Sequence, residues 1–152
     1  MPELTGPSHI DLTVTDVDRS ARWWEQVMGF SRMSSSEQAT FRTCSLIHGS
    51  RFTVTVVSHD ATEDERFDET RVGLDHLSFD VADRPALDAW VAHFDALGVP
   101  HSGIIEAHFG DTVVFRDPDN LQLELFTFNP RGEDLGQLLA TDPHRPSDSE
   151  DL

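Results

Sequence analysis

The chain has a single cysteine, Cys44, and no tyrosine, and because all 11 of its basic residues are arginines it has no lysine either. The lone cysteine excludes an intrachain disulfide and any zinc or iron–sulfur site built from cysteines, and it favours a reducing compartment. The missing lysine and tyrosine exclude Schiff-base chemistry on a lysine amine and acid–base chemistry on a phenol. Any chemistry must therefore depend on other side chains.

Positive charge is also scarce, since 28 acidic residues against 11 arginines give a formal net charge of -17 at pH 7. Such a chain repels phosphate, so we expect neither a nucleic acid nor a membrane as partner. No apolar run approaches the roughly 20 residues that span a bilayer. The first residues, MPELTGPSH, have neither the basic segment nor the apolar core of a signal peptide. We expect a cytoplasmic protein that acts on a small molecule.

The first half of the chain has the pattern of a strand, a helix and three further strands. HIDLTVTD, from His9 to Asp16, alternates apolar and polar residues with a period of two, as strands with two different faces do. A helix is predicted next, with Asp16 or Asp18 as its N-cap and Gly29 as its stop. The remaining strands are predicted at 30–35, 40–47 and 52–58.

The second half repeats the first after a charged linker at 60–72. An offset of 67 (76 minus 9) pairs His9 with His76, Leu12 with Phe79, Asp16 with Asp83 and Trp23 with Trp90. The second helix is predicted to begin after Asp83 and end at Gly98, and its three following strands are predicted at 104–108, 112–116 and 121–128. The prediction is one α+β domain over 1–140, with βαβββ modules at 8–59 and 73–128, a short helix ending at 140, and a flexible acidic tail over 141–152.

Three strands place two histidines and a glutamate on the face of the sheet that lies away from the helices. Ile10, Leu12 and Val14 must face the helix layer, so His9 points the other way, and the same alternation applies to His76 and Glu124. These three side chains are either ordinary solvated polar residues or metal ligands in a cavity. Two neutral imidazoles and one carboxylate suit Fe(II), Mn, Ni, Co or Zn, with coordination positions left open.

The chain resembles the vicinal oxygen chelate superfamily, which includes glyoxalase I, methylmalonyl-CoA epimerase, extradiol dioxygenases, fosfomycin-resistance transferases and bleomycin-resistance proteins. The resemblance covers about 8–128 and rests on SHIDLTVTDVDRSARWWEQVMGF, GLDHLSFDVAD and VVFRDPDNLQLELF. It implies two βαβββ modules packed edge to edge, whose curved mixed sheets form a U-shaped cleft around one divalent ion, usually in a homodimer. In the superfamily, the positions that match His9, His76 and Glu124 hold the metal.

The sequence departs from the four-ligand members of the superfamily. Glyoxalase I and the epimerase take a fourth ligand, Glu or Gln, from the last strand of the first module, where the best match in this sequence is Thr55. Three ligands resemble the facial triad of ring-cleaving dioxygenases, which favours Fe(II). Such enzymes also need an acid–base group, and His108 and His59 are the candidates.

Three functions stay open at this stage. Fe(II) dioxygenase chemistry on a small oxygen-bearing substrate is favoured, and a glyoxalase-I-like lyase or isomerase comes next. The third is a non-catalytic antibiotic-binding resistance protein. The acidity of the chain favours this function, since such proteins bind cationic drugs without a metal, whereas the complete ligand triad argues against it.

Overall fold

The computed structural model describes residues 7–62 and 66–128, and these form two successive βαβββ modules. The first module contains β1 (His9–Thr13), α1 (Val17–Met28), β2 (Ser31–Glu37), β3 (Phe41–Ile47) and β4 (Thr53–His59). The second contains β5 (Leu77–Asp80), α2 (Arg84–Leu97), β6 (His101–Glu106), β7 (Gly110–Arg116) and β8 (Gln122–Phe128). The predicted α+β fold of two tandem βαβββ modules is confirmed. The helix predicted to end at 140 and the tail at 141–152 lie outside the described residues.

Each module builds its own four-stranded mixed sheet, with the order β1-β4-β3-β2 in the first and β5-β8-β7-β6 in the second. We call these sheet A and sheet B. In both sheets the first strand runs parallel to the last strand of its module, and the other pairings are antiparallel. The parallel registers also match, because Asp11 is paired with Thr55 and Ser78 is paired with Glu124.

Both helices begin and end where local sequence signals predict. Asp16 caps α1 by accepting a hydrogen bond from the Arg19 backbone N–H, and Asp83 caps α2 through the N–H of Ala86. Both helices end at a glycine, Gly29 or Gly98, in the left-handed conformation that lets the chain turn back towards the next strand. Neither helix in the described part of the chain is long and apolar enough to cross a membrane.

The helices lie between the two sheets and share one apolar core with them. Trp23 of α1 stacks against Phe115 of sheet B, with ring centroids 6.2 Å apart. Trp24 is fully buried and contacts Phe79 of β5. His93 of α2 donates a hydrogen bond to the carbonyl oxygen of Val27 in α1. The inner faces of both sheets belong to this same core, so the two polar faces lie on the outside of the chain.

The sixth strand begins earlier and ends earlier than the sequence predicts. It runs over His101–Glu106, whereas the prediction was 104–108. Gly103 has a φ of 72° at a register shift between strands β6 and β7, which marks a bulge that a strict period of two conceals. His108 consequently lies in the turn of the β6–β7 hairpin and not in a strand.

The connection between the modules contains no helix or strand at 60–62 or 66–76, the part of it that the structure describes. It is fixed to the turn between β7 and β8. The backbone N–H of Phe67 donates to the carbonyl of Asp119, and the Asn120 side-chain amide donates to the carbonyl of Phe67. The connection is thus held against the end of sheet B at which β8 begins.

Candidate metal centre

His76 and Glu124 lie together on the polar face of sheet B. The Nε2 atom of His76 is 4.0 Å from the Oε1 atom of Glu124, and that carboxylate also accepts a hydrogen bond of 2.7 Å from the Ser78 hydroxyl. Strand alternation explains the arrangement, because every second residue of β8 is buried and Glu124 falls between buried Leu123 and Leu125. The prediction that Glu124 faces away from the core is confirmed.

A neighbouring carboxylate sets the tautomer of His76. The Nδ1 atom of His76 is 2.6 Å from the Oδ1 atom of Asp75. Because an ionised carboxylate only accepts hydrogen bonds, Nδ1 carries the proton of this contact. In the neutral form of the ring, this tautomer leaves the Nε2 lone pair on the side of Glu124. Histidines that bind metals commonly have such a partner, because the carboxylate fixes the orientation of the ring and makes the other nitrogen a stronger ligand.

His9 lies on the outer face of sheet A, exposed to solvent. Its Nδ1 atom is 2.8 Å from the Ser8 hydroxyl, a contact in which either group can be the donor. The structure does not bring His9 to His76 and Glu124: within residues 7–62 and 66–128 no group of three His, Cys, Asp or Glu side chains is placed to hold a metal. Both sheets pack on one core with their inner faces, and the polar faces that carry His9 on one side and His76 with Glu124 on the other turn away from that core.

The two candidate acid–base histidines lie at strand ends, away from the candidate ligands. His59 is the last residue of β4, opposite Phe41, six residues beyond the partner of His9 and therefore about 20 Å along the sheet. The hairpin that carries His108 lies beyond the end of β8, where Gly110 pairs with Phe128, and that end is about 13 Å along the sheet from Glu124. Both imidazoles are exposed.

Thr55 occupies the place in sheet A that Glu124 occupies in sheet B. It pairs with Asp11 just as Glu124 pairs with Ser78. Its hydroxyl is 3.0 Å from that of Ser45 on the neighbouring strand, so it is engaged in a cross-strand hydrogen bond. A fourth ligand of the Glu or Gln type is therefore absent from this position.

Sequence reasoning gave no role to three side chains beside the candidate ligands: Asp75, Ser78 and Arg116. The first two lie beside predicted ligands, and the alternation that placed His76 on this face also places Ser78 there. Arg116 ends β7 opposite Gln122. Its guanidinium makes a two-fold ion pair with Glu69 of the inter-module connection, at 2.6 and 2.9 Å. The hydrogen bonds from Arg116 hold the pKa of Glu69 at about 2, below its usual 4.5.

A cavity of about 730 Å³ runs beside the free edge of β1. Its wall includes Asp11, His59, Phe67 and Asp117, so it joins sheet A to the inter-module connection and to the β7–β8 turn. Asp117 is buried, and burial raises the pKa of this carboxyl to about 6 although the backbone N–H of Leu121 donates to it. The cavity is separate from the pair formed by His76 and Glu124, neither of which lines it.

The fold is that of a duplicated βαβββ protein, and one outer face of its second sheet carries a histidine–carboxylate pair. The model of the Glyoxalase/Bleomycin resistance protein/Dioxygenase superfamily matches residues 6–125, and the chain belongs to that superfamily. The resemblance inferred from the sequence is thereby confirmed.

Individual relatives agree with this membership. A glyoxylase/bleomycin resistance protein/dioxygenase domain from Frankia sp. EAN1pec has a similar structure, with a TM-score of 0.78 and 32% identity over 84% of this chain and 100% of that one. The fosfomycin resistance protein FosX from Listeria monocytogenes shares the fold, with a TM-score of 0.64, 19% identity, and coverage of 84% of this chain and 97% of that one. The "Putative ring-cleaving dioxygenase MhqA" of Bacillus subtilis (strain 168) is 23% identical over 149 residues, 91% of this chain and 46% of that protein. The chain thus spans about half the length of this relative.

Proposed function

We propose that this protein is a divalent-metal-dependent enzyme, with Fe(II) as the favoured ion, that oxygenates a small organic molecule bearing vicinal oxygens. The observation that carries the proposal is the pair formed by His76 and Glu124. One imidazole nitrogen is fixed by Asp75 and the other lies 4.0 Å from a carboxylate oxygen. The similarity to a protein described as a ring-cleaving dioxygenase supports the choice of reaction.

The residues present fit a divalent ion. His76 offers Nε2, Glu124 offers an oxygen, and Ser78 donates to that carboxylate and so restricts its rotation. Asp75 bonds to the other ring nitrogen of His76 and so orients the imidazole. When bound, the ion would supply Lewis acidity and open coordination positions for substrate oxygens.

We propose that His9 completes the ligand set in a homodimer. The polar faces of sheet A and sheet B both point away from the core that the two sheets share. A second copy that places its sheet A against sheet B of the first would bring His9 of one chain to His76 and Glu124 of the other. Two-fold symmetry then produces two equal sites, and the U-shaped cleft lies between the chains. We place this dimer in the cytoplasm.

For acid–base chemistry we propose His59 and His108, the exposed imidazoles at the ends of sheets A and B. Replacement of either by Gln should leave metal content unchanged and lower kcat. If both variants keep the wild-type kcat and its pH profile, these roles are wrong.

The lyase or isomerase alternative is less favoured because of one contact. Where the four-ligand arrangement needs a carboxylate or amide, Thr55 bonds with Ser45. A three-ligand site leaves more positions open for substrate and O₂ than a four-ligand site does.

Metal analysis tests the proposal. Protein loaded without oxygen with Fe(II), Mn(II), Ni(II), Co(II) or Zn(II), and then desalted, should retain close to one ion per chain. His76→Ala should lose the ion and keep its far-UV circular dichroism spectrum. His48→Ala is the matched control, because His48 lies in the β3–β4 turn, where its imidazole bonds to Ser50 and its ring contacts Phe30, and it has no place on the candidate metal face. Wild-type protein that stays empty with all five metals would refute the proposal and favour the resistance-type binder. For the iron form, O₂ uptake with catechol distinguishes oxygenation from isomerisation.

A further inference from the structure

Arg116 is the one lysine or arginine in the three strands β5, β7 and β8 that form the candidate metal face. It pairs directly with Gln122 on β8, and Glu124 lies two residues farther along the same face. The Cα atoms of such diagonal neighbours are about 7–8 Å apart. A small molecule in contact with Glu124 would therefore be within reach of the guanidinium.

The guanidinium is held in one plane by groups other than its ion-pair partner. Its Nη1 atom donates to the backbone carbonyl of Asn120 at 3.0 Å, and its Nη2 atom donates to the side-chain oxygen of Gln122 at 2.9 Å. The second hydrogen on each nitrogen is directed at Glu69, at 2.9 and 2.6 Å. Such a fixed fork recognises a planar carboxylate with two parallel hydrogen bonds.

Glu69 can be exchanged at low cost. The side chains of Arg116 and Glu69 are 34% and 31% exposed, so water solvates both charges when they separate, and an incoming carboxylate replaces this ion pair with an equivalent one. The connection that carries Glu69 is held independently by the hydrogen bonds of Phe67 to Asp119 and Asn120. Glu69 can therefore leave the guanidinium while its backbone stays in place.

We propose that Arg116 is a specificity-determining residue that binds a carboxylate of the substrate, and that Glu69 occupies its fork until that carboxylate replaces it. The inference rests on the proposed function and adds a substrate class to it: a small molecule with metal-binding oxygens at one end and a carboxylate at the other. An acidic protein that selects an anion needs such a local cation, because its overall charge of -17 disfavours anions elsewhere.

Two probes that differ by one carboxylate test the proposal: catechol and 3,4-dihydroxybenzoate. Their dissociation constants are measured by calorimetry on Mn(II)-loaded protein without oxygen. Arg116→Gln should weaken the binding of 3,4-dihydroxybenzoate by about tenfold or more, because the variant cannot form the bidentate charged hydrogen bonds to its carboxylate. The affinity for catechol should not change. Glu69→Gln should strengthen the binding of 3,4-dihydroxybenzoate by roughly three- to tenfold, because the side chain that competes for Arg116 loses its charge. Equal shifts for both probes, or no shift in either variant, would overturn the proposal.

A metal-free arm separates this inference from the metal site. In ¹⁵N-arginine-labelled protein without metal, the Nε–H signal of Arg116, assigned by its loss in Arg116→Gln, should move on titration with benzoate. It should move at lower benzoate concentration in Glu69→Gln. A protein that binds no metal yet shows this response retains the carboxylate site and loses the proposed function. A protein that binds metal but whose Arg116 signal ignores benzoate in both forms keeps the proposed function and loses the inference.

Discussion

Replacement of Asp119 by Ala should destabilise the fold by about 3 kcal/mol. Asp119 lies in the β7–β8 turn of the second module, is 8% exposed, and accepts hydrogen bonds from the first module. The Thr15 hydroxyl donates at 2.5 Å and Arg19 donates at 2.7 Å to its Oδ1 atom, and the buried Ser20 hydroxyl donates at 3.1 Å to Oδ2. This one carboxylate thus joins the start of α1 to sheet B.

The magnitude follows from what each donor loses. Arg19 is 46% exposed and recovers water, so its ion pair counts for no more than about 1 kcal/mol. Ser20 is fully buried and cannot recover water, and a buried donor without a partner costs about 1–3 kcal/mol. Thr15, which is partly buried, adds about 1 kcal/mol.

Urea unfolding followed by tryptophan fluorescence, at one fixed protein concentration because dimerisation would change the midpoint, measures the loss. Asp119→Asn keeps one acceptor oxygen and should lose about half as much stability. Asp88→Ala is the control: Asp88 is 60% exposed and forms an i,i+4 surface ion pair with Arg84, so its loss should cost less than about 0.5 kcal/mol. If Asp119→Ala falls within about 1 kcal/mol of wild type, the carboxylate does not join the modules as described.

Three further predictions concern single positions. Gly110→Ala should unfold the protein or lower its stability strongly, because a Cβ atom there would lie 2.4 Å from a ring carbon of Phe126 and 2.4 Å from a backbone oxygen. Thermal unfolding measures the effect, and a melting curve that overlays on that of wild type would contradict the packing at this end of β7. Burial raises the pKa of Asp117 from 3.8 to about 6, so the folded state binds this proton more tightly than the unfolded state does. As pH falls from 7 to 4, wild type should therefore gain stability relative to Asp117→Asn, by up to about 3 kcal/mol. A stability difference that stays constant with pH would refute the pKa shift. Asp75→Asn should weaken metal binding by about 10- to 100-fold while His76 remains present, and an unchanged metal affinity would show that the 2.6 Å contact has no part in ligand orientation.

The fold could be predicted from the sequence because its signals are local. Asp16 and Asp83 cap helices through their own turns, and Gly29 and Gly98 end them, with no contribution from distant residues. Alternation with a period of two gave the buried and exposed faces of β1 and β8. The bulge at Gly103 broke that alternation, and the predicted bounds of β6 were accordingly shifted towards the C-terminus of the strand.

The candidate site could be predicted only in part, because the rest depends on contacts between distant residues. Alternation correctly placed His76 and Glu124 on one face, where the structure brings them together. The packing of both sheets on one core, which separates His9 from that pair within the chain, follows from contacts such as that of Trp23 with Phe115. No periodic pattern in either module encodes such contacts. The pairing of Arg116 with Glu69 likewise joins positions 47 residues apart.

Complementation between two inactive variants tests the shared metal site most directly. His9→Ala and His76→Ala should each bind no metal as homodimers. After the two are mixed, unfolded and refolded together, half of the dimers would contain one chain of each kind, and each of these would hold one complete site. We therefore predict recovery of about one quarter of the wild-type metal content per chain. A mixture that stays as empty as its two components would contradict a site that takes His9 from one copy and His76 with Glu124 from the other.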